Sequence, residues 1–374
     1  MANFVEKENI FLRIAKYLFP WKGDKPAEII RKCIFLGAAV VLIVSLVMII
    51  SFYGSTAQDN KLNEQISSLY HGSASVTIDP VKKDELVKEY PEVNEEFLPL
   101  LEQNKDVIGW ITMGDEDSPF VDNVVVQGDD NEYYLDHNLN GDYSKTGTVF
   151  ADYREKITAE NTPANIILYG HNVNTGEYFA KLTRYFNYRT QLNYGMDWYR
   201  KYPTITFNTL YRKSTYKIFA GMLVNTEEKD GEVFYYLQGR KFKNKAAFDD
   251  YVAQILDRTT FYTDVDLKYG DNLITLSTCI LDYGIDARWV IFGREVREGE
   301  DPTVDVNKAY ENPDPLYFDY YYNVFGGSWG GRKWDADMIY DYSYTGEAKK
   351  PDAACSLKGR YSHGRNGYGA FPEQ

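Results

Sequence analysis

Three residue types suited to acyl transfer stand at the ends of apolar runs in this chain. The stretch "NLITLSTCILDYGIDARWVIFGREV", residues 272–296, places Cys279 at the end of one strand-like run and Arg288 at the start of the next. His171 ends a third run, "NIILYGH". A cysteine attacks a carbonyl as its thiolate, a histidine can carry the proton, and a guanidinium can stabilise an oxyanion. Together they indicate nucleophilic acyl transfer.

Each of these residues also has a structural interpretation. A cysteine is often a small buried hydrophobe, and a histidine at a strand end is commonly only hydrogen-bonded. Arg288 would then be a surface charge paired with Asp282 or Asp286. His137, in the polar loop "YYLDHNLNGDY", is a second candidate for the base. The sequence does not show which of these side chains meet in space.

Composition excludes several other classes of site. The three cysteines, Cys33, Cys279 and Cys355, are too few for a disulfide framework or a four-thiolate zinc site. The four histidines are scattered through the chain, which argues against a histidine-rich metal site. The net charge of −14 argues against a nucleic-acid partner, which would require a basic face. We therefore expect no metal and no cofactor.

The chain is predicted to be mainly β, with short strands bounded by turn residues. Eight strands of this kind favour a closed barrel or a sandwich. Helices are predicted over 83–104, 177–186 and 245–258, the last with Asn244 as its N-cap. The eight predicted strands are 109–113, 121–127, 147–152, 165–171, 204–210, 215–226, 272–279 and 287–296.

An apolar segment near the N-terminus predicts one transmembrane helix. Residues 33–53 contain no charged residue and are long enough to cross a bilayer. A buried core helix or a cleaved signal peptide is the alternative. Basic residues outnumber acidic ones in 1–32, so the N-terminus is expected in the cytoplasm and the remainder outside the membrane. Residues 54–82 are mostly polar and are predicted to form an extracellular stalk.

The C-terminal residues 301–374 differ from the rest in composition. They are rich in tyrosine and glycine, for example in "YFDYYYNVFGGSWGGRKW", and keep no helical or strand period. Segments of this kind bury too little apolar surface to become ordered. They are therefore predicted to be a disordered extension, with an aromatic surface-contact segment as the alternative.

Beyond these patterns, the chain resembles the sortases, membrane-anchored cysteine transpeptidases of Gram-positive bacteria. "TLSTC" at 275–279 is similar to the family's TLxTC signature, "LYGHN" at 168–172 to its histidine segment, and "ARWVIFGR" to its arginine segment. "NKDVIGWI" (104–111) and "VVVQGDDNEYYLDHNLNGDYSKTGTVFADYR" (124–154) resemble class B. The resemblance covers about 83–297 and predicts a catalytic domain over 83–300.

The resemblance implies a fold and residue roles. The fold is an eight-stranded sortase-type β-barrel with a few flanking helices. The nucleophile is Cys279, the general acid/base is His171, and the oxyanion-stabilising or substrate-orienting arginine is Arg288. Ser277, Thr278 and Asn172 are candidate substrate-binding residues. Arg294, farther along the strand of Arg288, is expected to tolerate lysine.

The resemblance also implies a reaction and partners. A secreted protein would be cleaved after the threonine of its C-terminal sorting signal and transferred through a thioester to a peptidoglycan amine. Such an enzyme would work at the outer face of the cell membrane. Two alternatives stay open. One is a sortase that polymerises pilins through a lysine, and the other is a non-catalytic surface-anchored interaction protein.

Overall fold

The computed structural model of the protein describes residues 10–72, 78–173, 176–186 and 194–334. Cys355, His363 and the last part of the predicted C-terminal extension lie outside the described residues. The chain divides into two compact units. One comprises Met1–Trp110 with Asp122–Tyr153, and the other comprises Ile111–Val121 with Arg154–Gln374.

Eight strands form a closed barrel in the order β1-β2-β3-β4-β8-β9-β6-β5, and β7 and β10 form a separate two-stranded sheet. The barrel confirms the predicted fold class and decides against a sandwich. Each predicted strand run corresponds to one barrel strand. The strands are β1 Val107–Asp115, β2 Ser118–Val126, β3 Val149–Ala151, β4 Asn165–Tyr169, β5 Thr204–Thr209, β6 Lys213–Asn225, β7 Phe261–Tyr262, β8 Leu273–Cys279, β9 Ala287–Glu295 and β10 Tyr310–Glu311.

Seven α-helices lie within the described residues. The predicted helix 177–186 is instead a single 3₁₀ segment, Ala180–Tyr185, and residues 83–104 contain two helices in place of one. The helices are α1 Ile10–Leu18, α2 Pro26–Tyr70, α3 Pro80–Glu89, α4 Leu98–Gln103, α5 Met196–Lys201, α6 Lys245–Arg258 and α7 Asp319–Phe325.

Helix α6 forms as predicted and supplies much of the core. The side chain of Asn244 accepts a hydrogen bond from the N–H of Ala247 at 3.0 Å, which caps the first turn. Phe248, Val252 and Ile255, spaced four and three residues apart, are fully buried. They belong to a cluster of apolar residues from α6, β6, β8 and β9. This packing fixes the strands that carry the candidate site.

Helix α2 extends beyond the predicted membrane segment at both ends and includes most of the predicted stalk. It is continuous from Pro26 to Tyr70, and its portion Pro26–Ser51 is long enough to cross a membrane and contains an 18-residue stretch with mean hydropathy 3.1. Ile66 and Tyr70, four residues apart, are both buried, and the Tyr70 ring stacks on Trp110 at 4.3 Å. Tertiary contact at Tyr70 therefore stabilises helical structure in residues whose sequence shows no regular apolar spacing.

Residues 301–334 are ordered and packed, unlike the expected disordered extension. Strand β10 pairs with β7, and Phe318 and Trp334 are 6% and 5% exposed. The indole N–H of Trp334 donates to Asp257 at 2.7 Å. The prediction was wrong for this part because some of its aromatic side chains pack on α6 and β7, which are distant in sequence.

Arg294, which was expected to tolerate lysine, occupies a buried position. It is 1% exposed, and its guanidinium donates to both carboxylate oxygens of Glu300 and to the Asp266 carbonyl. Burial opposes ionisation of Glu300, but the hydrogen bonds from Arg294 and Lys217 outweigh it and hold the pKa of Glu300 well below its usual value. Arg294 is therefore the centre of a buried ion network, and the expectation that lysine would replace it freely loses its basis.

Candidate functional site

The register of three neighbouring strands brings the predicted catalytic residues to one rim. β4 and β8 run parallel, with Tyr169 paired to Ser277. His171 lies two residues beyond Tyr169, and Cys279 lies two residues beyond Ser277, so the two stand at equivalent positions. β8 and β9 run antiparallel, with Cys279 paired directly to Arg288. The cysteine therefore lies between the histidine and the arginine.

Hydrogen bonds between the ends of β4 and β8 hold this rim together. The Gly170 N–H donates to the Ser277 carbonyl at 3.2 Å, and the Thr278 hydroxyl donates to the Gly170 carbonyl at 2.7 Å. The Asn172 side chain donates to the Cys279 carbonyl at 2.9 Å. These bonds continue the β4–β8 pairing beyond the last ladder pair, so they fix the backbone on both sides of His171.

Gly170 is required by a close approach of an aromatic ring. A Cβ atom at this position would lie 2.7 Å from Cγ of Phe179. Phe179 is fully buried, and its N–H donates to the carbonyl of His171 at 3.1 Å. The ring and this backbone bond therefore support the segment that carries the histidine. Tyr178, beside Phe179, has a φ of 53°, an uncommon conformation for a residue other than glycine.

Cys279 is a free, half-buried thiol at the end of a strand that is otherwise fully buried. The position of Cys279 at the strand end suits a nucleophile, because a thiol deep in the core would be inaccessible to a peptide. Its neighbour across the ladder, Arg288, is half-buried as well. Solvent can therefore reach the site at Cys279 and Arg288, while the buried remainder of β8 supports it from the core.

The guanidinium of Arg288 is bound only through one nitrogen among the described residues. Nη1 donates to the carbonyls of Ala287 at 3.0 Å and Ile285 at 3.4 Å. No ion pair joins Arg288 to Asp282 or Asp286 in the described part of the chain, and Asp286 pairs with Lys229 at 2.6 Å. The surface-pair interpretation of Arg288 therefore lacks its partner. Nε and Nη2 keep N–H donors that an oxyanion or a substrate carbonyl can accept.

The candidate substrate-binding residues all take part in holding the rim. Ser277 is 3% exposed and shares a 3.0 Å hydrogen bond with the hydroxyl of Tyr236. Thr278 is 2% exposed and bound to Gly170, as described above. Asn172 is exposed, so of the three it is the one that a substrate can reach directly. A role for these residues in substrate binding remains a prediction.

The other described histidines are engaged locally in the first unit. His137 Nδ1 lies 2.8 Å from the Tyr133 carbonyl, and its ring stacks on the Tyr133 ring at 4.1 Å. His71 Nε2 lies 3.1 Å from Oδ1 of Asp122. His171 is the histidine that strand register aligns with Cys279. We therefore retain His171 as the candidate base.

Two contributors to the site's surroundings were not predicted from the sequence. Tyr236 reaches Ser277, and Tyr283 lies buried in the loop between Cys279 and Arg288. Both are tyrosines in a chain that has 33 of them, and neither sits in a motif. Their contacts depend on strand and loop packing, so no local signal singles them out.

A closed eight-stranded barrel with a cysteine, a histidine and an arginine at one rim carries the side chains that thioester-based acyl transfer requires. No family model matches the chain. Sortase B of Listeria monocytogenes is 31% identical over 269 residues, which is 70% of this chain and 97% of that protein. Sortase B of Staphylococcus aureus is 26% identical over 192 residues, 51% of this chain and 70% of that protein.

Solved structures show the same fold. Sortase B of Bacillus anthracis superposes with a TM-score of 0.51 at 22% identity, covering 66% of this chain and 99% of that one. A substrate complex of Staphylococcus aureus sortase B gives 0.51 at 23% identity, covering 65% and 98%. The chain belongs to the sortase B family, which consists of cysteine transpeptidases. The resemblance noted in the sequence is thereby confirmed.

Proposed function

We propose that the protein is a membrane-anchored sortase that cleaves a C-terminal sorting signal after threonine and transfers the protein to an amine of peptidoglycan. The observation that carries the proposal is the alignment of His171, Cys279 and Arg288 across β4, β8 and β9. Family membership supports the transpeptidase chemistry. The substrate complex solved for Staphylococcus aureus sortase B supports a peptide substrate for this chain as well.

The first half-reaction forms a thioester. His171 accepts the thiol proton of Cys279, and the sulfur attacks the threonine carbonyl carbon to give a tetrahedral oxyanion. The free N–H donors of Arg288 stabilise that oxyanion, which bears charge only during the reaction. The peptide C–N bond then breaks, and His171 returns the proton to the departing amine. The threonine carbonyl is left bonded to sulfur.

The second half-reaction transfers the acyl group. An acceptor amine attacks the thioester carbonyl and loses a proton to His171. Collapse of the second tetrahedral oxyanion forms an amide and expels the Cys279 thiolate, which takes the proton back. The same three residues therefore serve both halves. A peptidoglycan amine is the proposed acceptor, and a pilin lysine would enter by the same chemistry.

Helix α2 supports the proposed membrane location. Most side chains of residues 33–51 are exposed in the structure although this stretch is strongly apolar, as expected for contact with lipid. Lys32, at the predicted inner edge, donates to Asp24 and to the carbonyl of Lys16, which ties the start of the helix to the N-terminal segment. We place this segment in the cytoplasm and the barrel outside.

Intact-mass analysis of the full-length protein in detergent tests the proposal. The substrates are peptides copied from the C-termini of secreted proteins encoded in the same genome, each with and without an acceptor peptide that carries a free amine. We expect a covalent adduct at Cys279 without acceptor and a transpeptidation product with it. Absence of any adduct across the peptide set would overturn the proposal and revive the non-catalytic alternative. Preference for a pilin-derived lysine as acceptor would favour the polymerase.

A further inference from the structure

The C-terminal residues 312–325, here called the aromatic arm, pack on the loop that joins Cys279 to Arg288. This loop, residues 280–286, contains one buried aromatic side chain, Tyr283, which is 4% exposed. Its ring stacks on Tyr321 of the arm, with centroids 5.7 Å apart and planes 17° apart, and lies 5.2 Å from the ring of Phe325. The arm therefore covers Tyr283 on one side, and the ring of Phe186 lies 5.3 Å from it as a further contact.

The arm meets the backbone of the same loop at a second point. A Cβ atom on Gly284, which has a φ of 125°, would lie 3.4 Å from the ring of Tyr320. Tyr321 is itself stacked on Tyr317 at 3.9 Å and lies 5.0 Å from Phe325, so the arm presents a preformed aromatic surface. Burial raises the pKa of Tyr317, consistent with a dry interior to this cluster.

The segment 312–332, which contains the arm, is anchored at both ends to the C-terminal end of α6. On the entering side, Asn312 donates to the Thr259 carbonyl at 2.7 Å, and the Leu316 N–H donates to the Asp257 carbonyl at 2.8 Å. On the leaving side, Arg332 binds the Asp257 carboxylate with two bonds of 2.8 and 2.7 Å. Because both ends of the segment are attached to α6, the position of its middle relative to the loop is restricted.

The loop held by the arm is the one that holds Arg288. The guanidinium Nη1 donates to the carbonyls of Ile285 and Ala287, as described above. A shift of Tyr283 would move these carbonyls and with them the orientation of the guanidinium. Displacement of a reacting or stabilising group by about 1 Å can cost on the order of 10²-fold in rate.

We propose that the aromatic arm is a positioning element of the active site, which orients Arg288 through the ring of Tyr283. This inference rests on the proposed function, in which Arg288 stabilises the oxyanion. Tyr321 is the positioning residue, since its ring covers Tyr283 directly. The tyrosine-rich composition of this part of the chain would then have a function, which a disordered extension would not provide.

A set of variants of the full-length protein separates positioning from general stabilisation. Tyr321→Ala removes the stacking ring and Tyr321→Phe keeps it. Tyr310→Ala is the matched control, because Tyr310 is also half-buried and its ring lies 5.3 Å from a tyrosine of the domain, Tyr262, away from the active-site loop. Single-turnover acylation of Cys279 by a sorting peptide gives the rate. Hydrogen exchange of the peptide 280–288 reports the loop without any need for activity.

We expect Tyr321→Ala to lower the acylation rate about tenfold and to speed exchange of 280–288, while Tyr321→Phe and Tyr310→Ala stay within about twofold of wild type. In an Arg288→Ala background, Tyr321→Ala should have no further effect on the rate, since the arm acts through that arginine. The same tenfold loss in both backgrounds, or unchanged exchange, would overturn the proposal. An inactive wild type with arm-dependent exchange would instead refute the proposed function and leave only the contact with the loop established.

Discussion

At the scale of single residues, the site depends on one thiol and on where its proton goes. Cys279→Ala should abolish the covalent adduct with a sorting peptide, because no other group at the rim can form a thioester. The melting temperature should stay within a few degrees, since alanine fits a half-buried strand end. Cys33→Ala and Cys355→Ala are the controls and should keep adduct formation. Adduct persisting in Cys279→Ala, detected by intact mass, would assign the nucleophile elsewhere.

The arginine should be needed for the shape of its donor group as well as for its charge. Lysine would keep the charge of Arg288 but lose the fork that binds the loop through Nη1 and leaves Nε and Nη2 for the substrate. Loss of one oxyanion donor costs about 10²–10³ in rate, so we expect Arg288→Lys to reduce kcat/KM on the order of 10²-fold. Steady-state kinetics on a cleavable sorting peptide measures this.

The control for Arg288 must be a different arginine from the one that the sequence suggested. Arg294 is buried in an ion network, so its substitution would report stability. Arg212 is 44% exposed and pairs with Glu295 at 3.1 Å, which makes Arg212→Lys a suitable replacement. Exposed ion pairs contribute about 1 kcal/mol or less, and Arg212→Lys should keep full activity. Equal activity of Arg288→Lys and Arg212→Lys would reduce Arg288 to a structural charge.

At the scale of elements, the histidine segment is held by the fit between a glycine and an aromatic ring. Gly170→Ala would force its new methyl group against the buried ring of Phe179. Overpacking of this kind costs about 1–3 kcal/mol. Because His171 is the next residue, the shift should also lower kcat, by roughly 10-fold or more. Chemical denaturation and kinetics of the same preparation give both quantities.

A second substitution tests whether that ring is the cause. Phe179→Leu combined with Gly170→Ala should recover part of the lost kcat, since the smaller side chain makes room for the methyl group. Phe179→Leu alone serves as the reference for the cavity that it creates. If the double variant is no more active than Gly170→Ala, the loss comes from the glycine backbone itself and not from the contact with the ring.

Strands and α6 were predictable because their signals are local. Alternation, β-branched residues and bounding turns define each barrel strand within a few residues, and Asn244 marks the start of α6 at the observed position. The extension of α2 to Tyr70 and the pairing of β10 with β7 were missed. In each case the partner is distant in sequence: Tyr70 stacks on Trp110, and Tyr310 faces Tyr262. Periodicity contains no information about such partners.

The candidate site was likewise predictable only where its signals are local. Its residues were named from motif and strand position, but their adjacency follows only from the parallel β4–β8 register and the antiparallel β8–β9 register. The expectation that Arg294 would tolerate lysine failed for a related reason. A charged residue near a strand end is usually exposed, and this one is buried because Glu300 and Asp266, from two separate segments, surround it. The cost of burying the charge is offset by partners that the local sequence does not reveal.

At the scale of the whole molecule, this ion network should make stability sensitive to acid. The pKa of Glu300 is lower in the folded protein than its ordinary value near 4.5, so the unfolded chain takes up its proton first on acidification. The stabilisation is therefore fully present above about pH 4.5 and is lost as the pH falls toward the lowered pKa. A single such group contributes a slope of at most about 1.4 kcal/mol per pH unit.

Glu300→Gln removes that titration and leaves two buried cations with one carboxylate fewer. Arg294 and Lys217 are 1% and 9% exposed in their side chains, so we expect a loss near the lower end of the roughly 3–5 kcal/mol typical of a broken buried ion pair. Below pH 4.5 the variant should lose stability less steeply than wild type, and the two unfolding free energies should converge. Glu298→Gln, at a neighbouring exposed position, should follow wild type throughout. Urea unfolding from pH 7 to pH 3 measures all three proteins, and parallel curves for Glu300→Gln and wild type would mean that other carboxylates of the network carry the acid sensitivity.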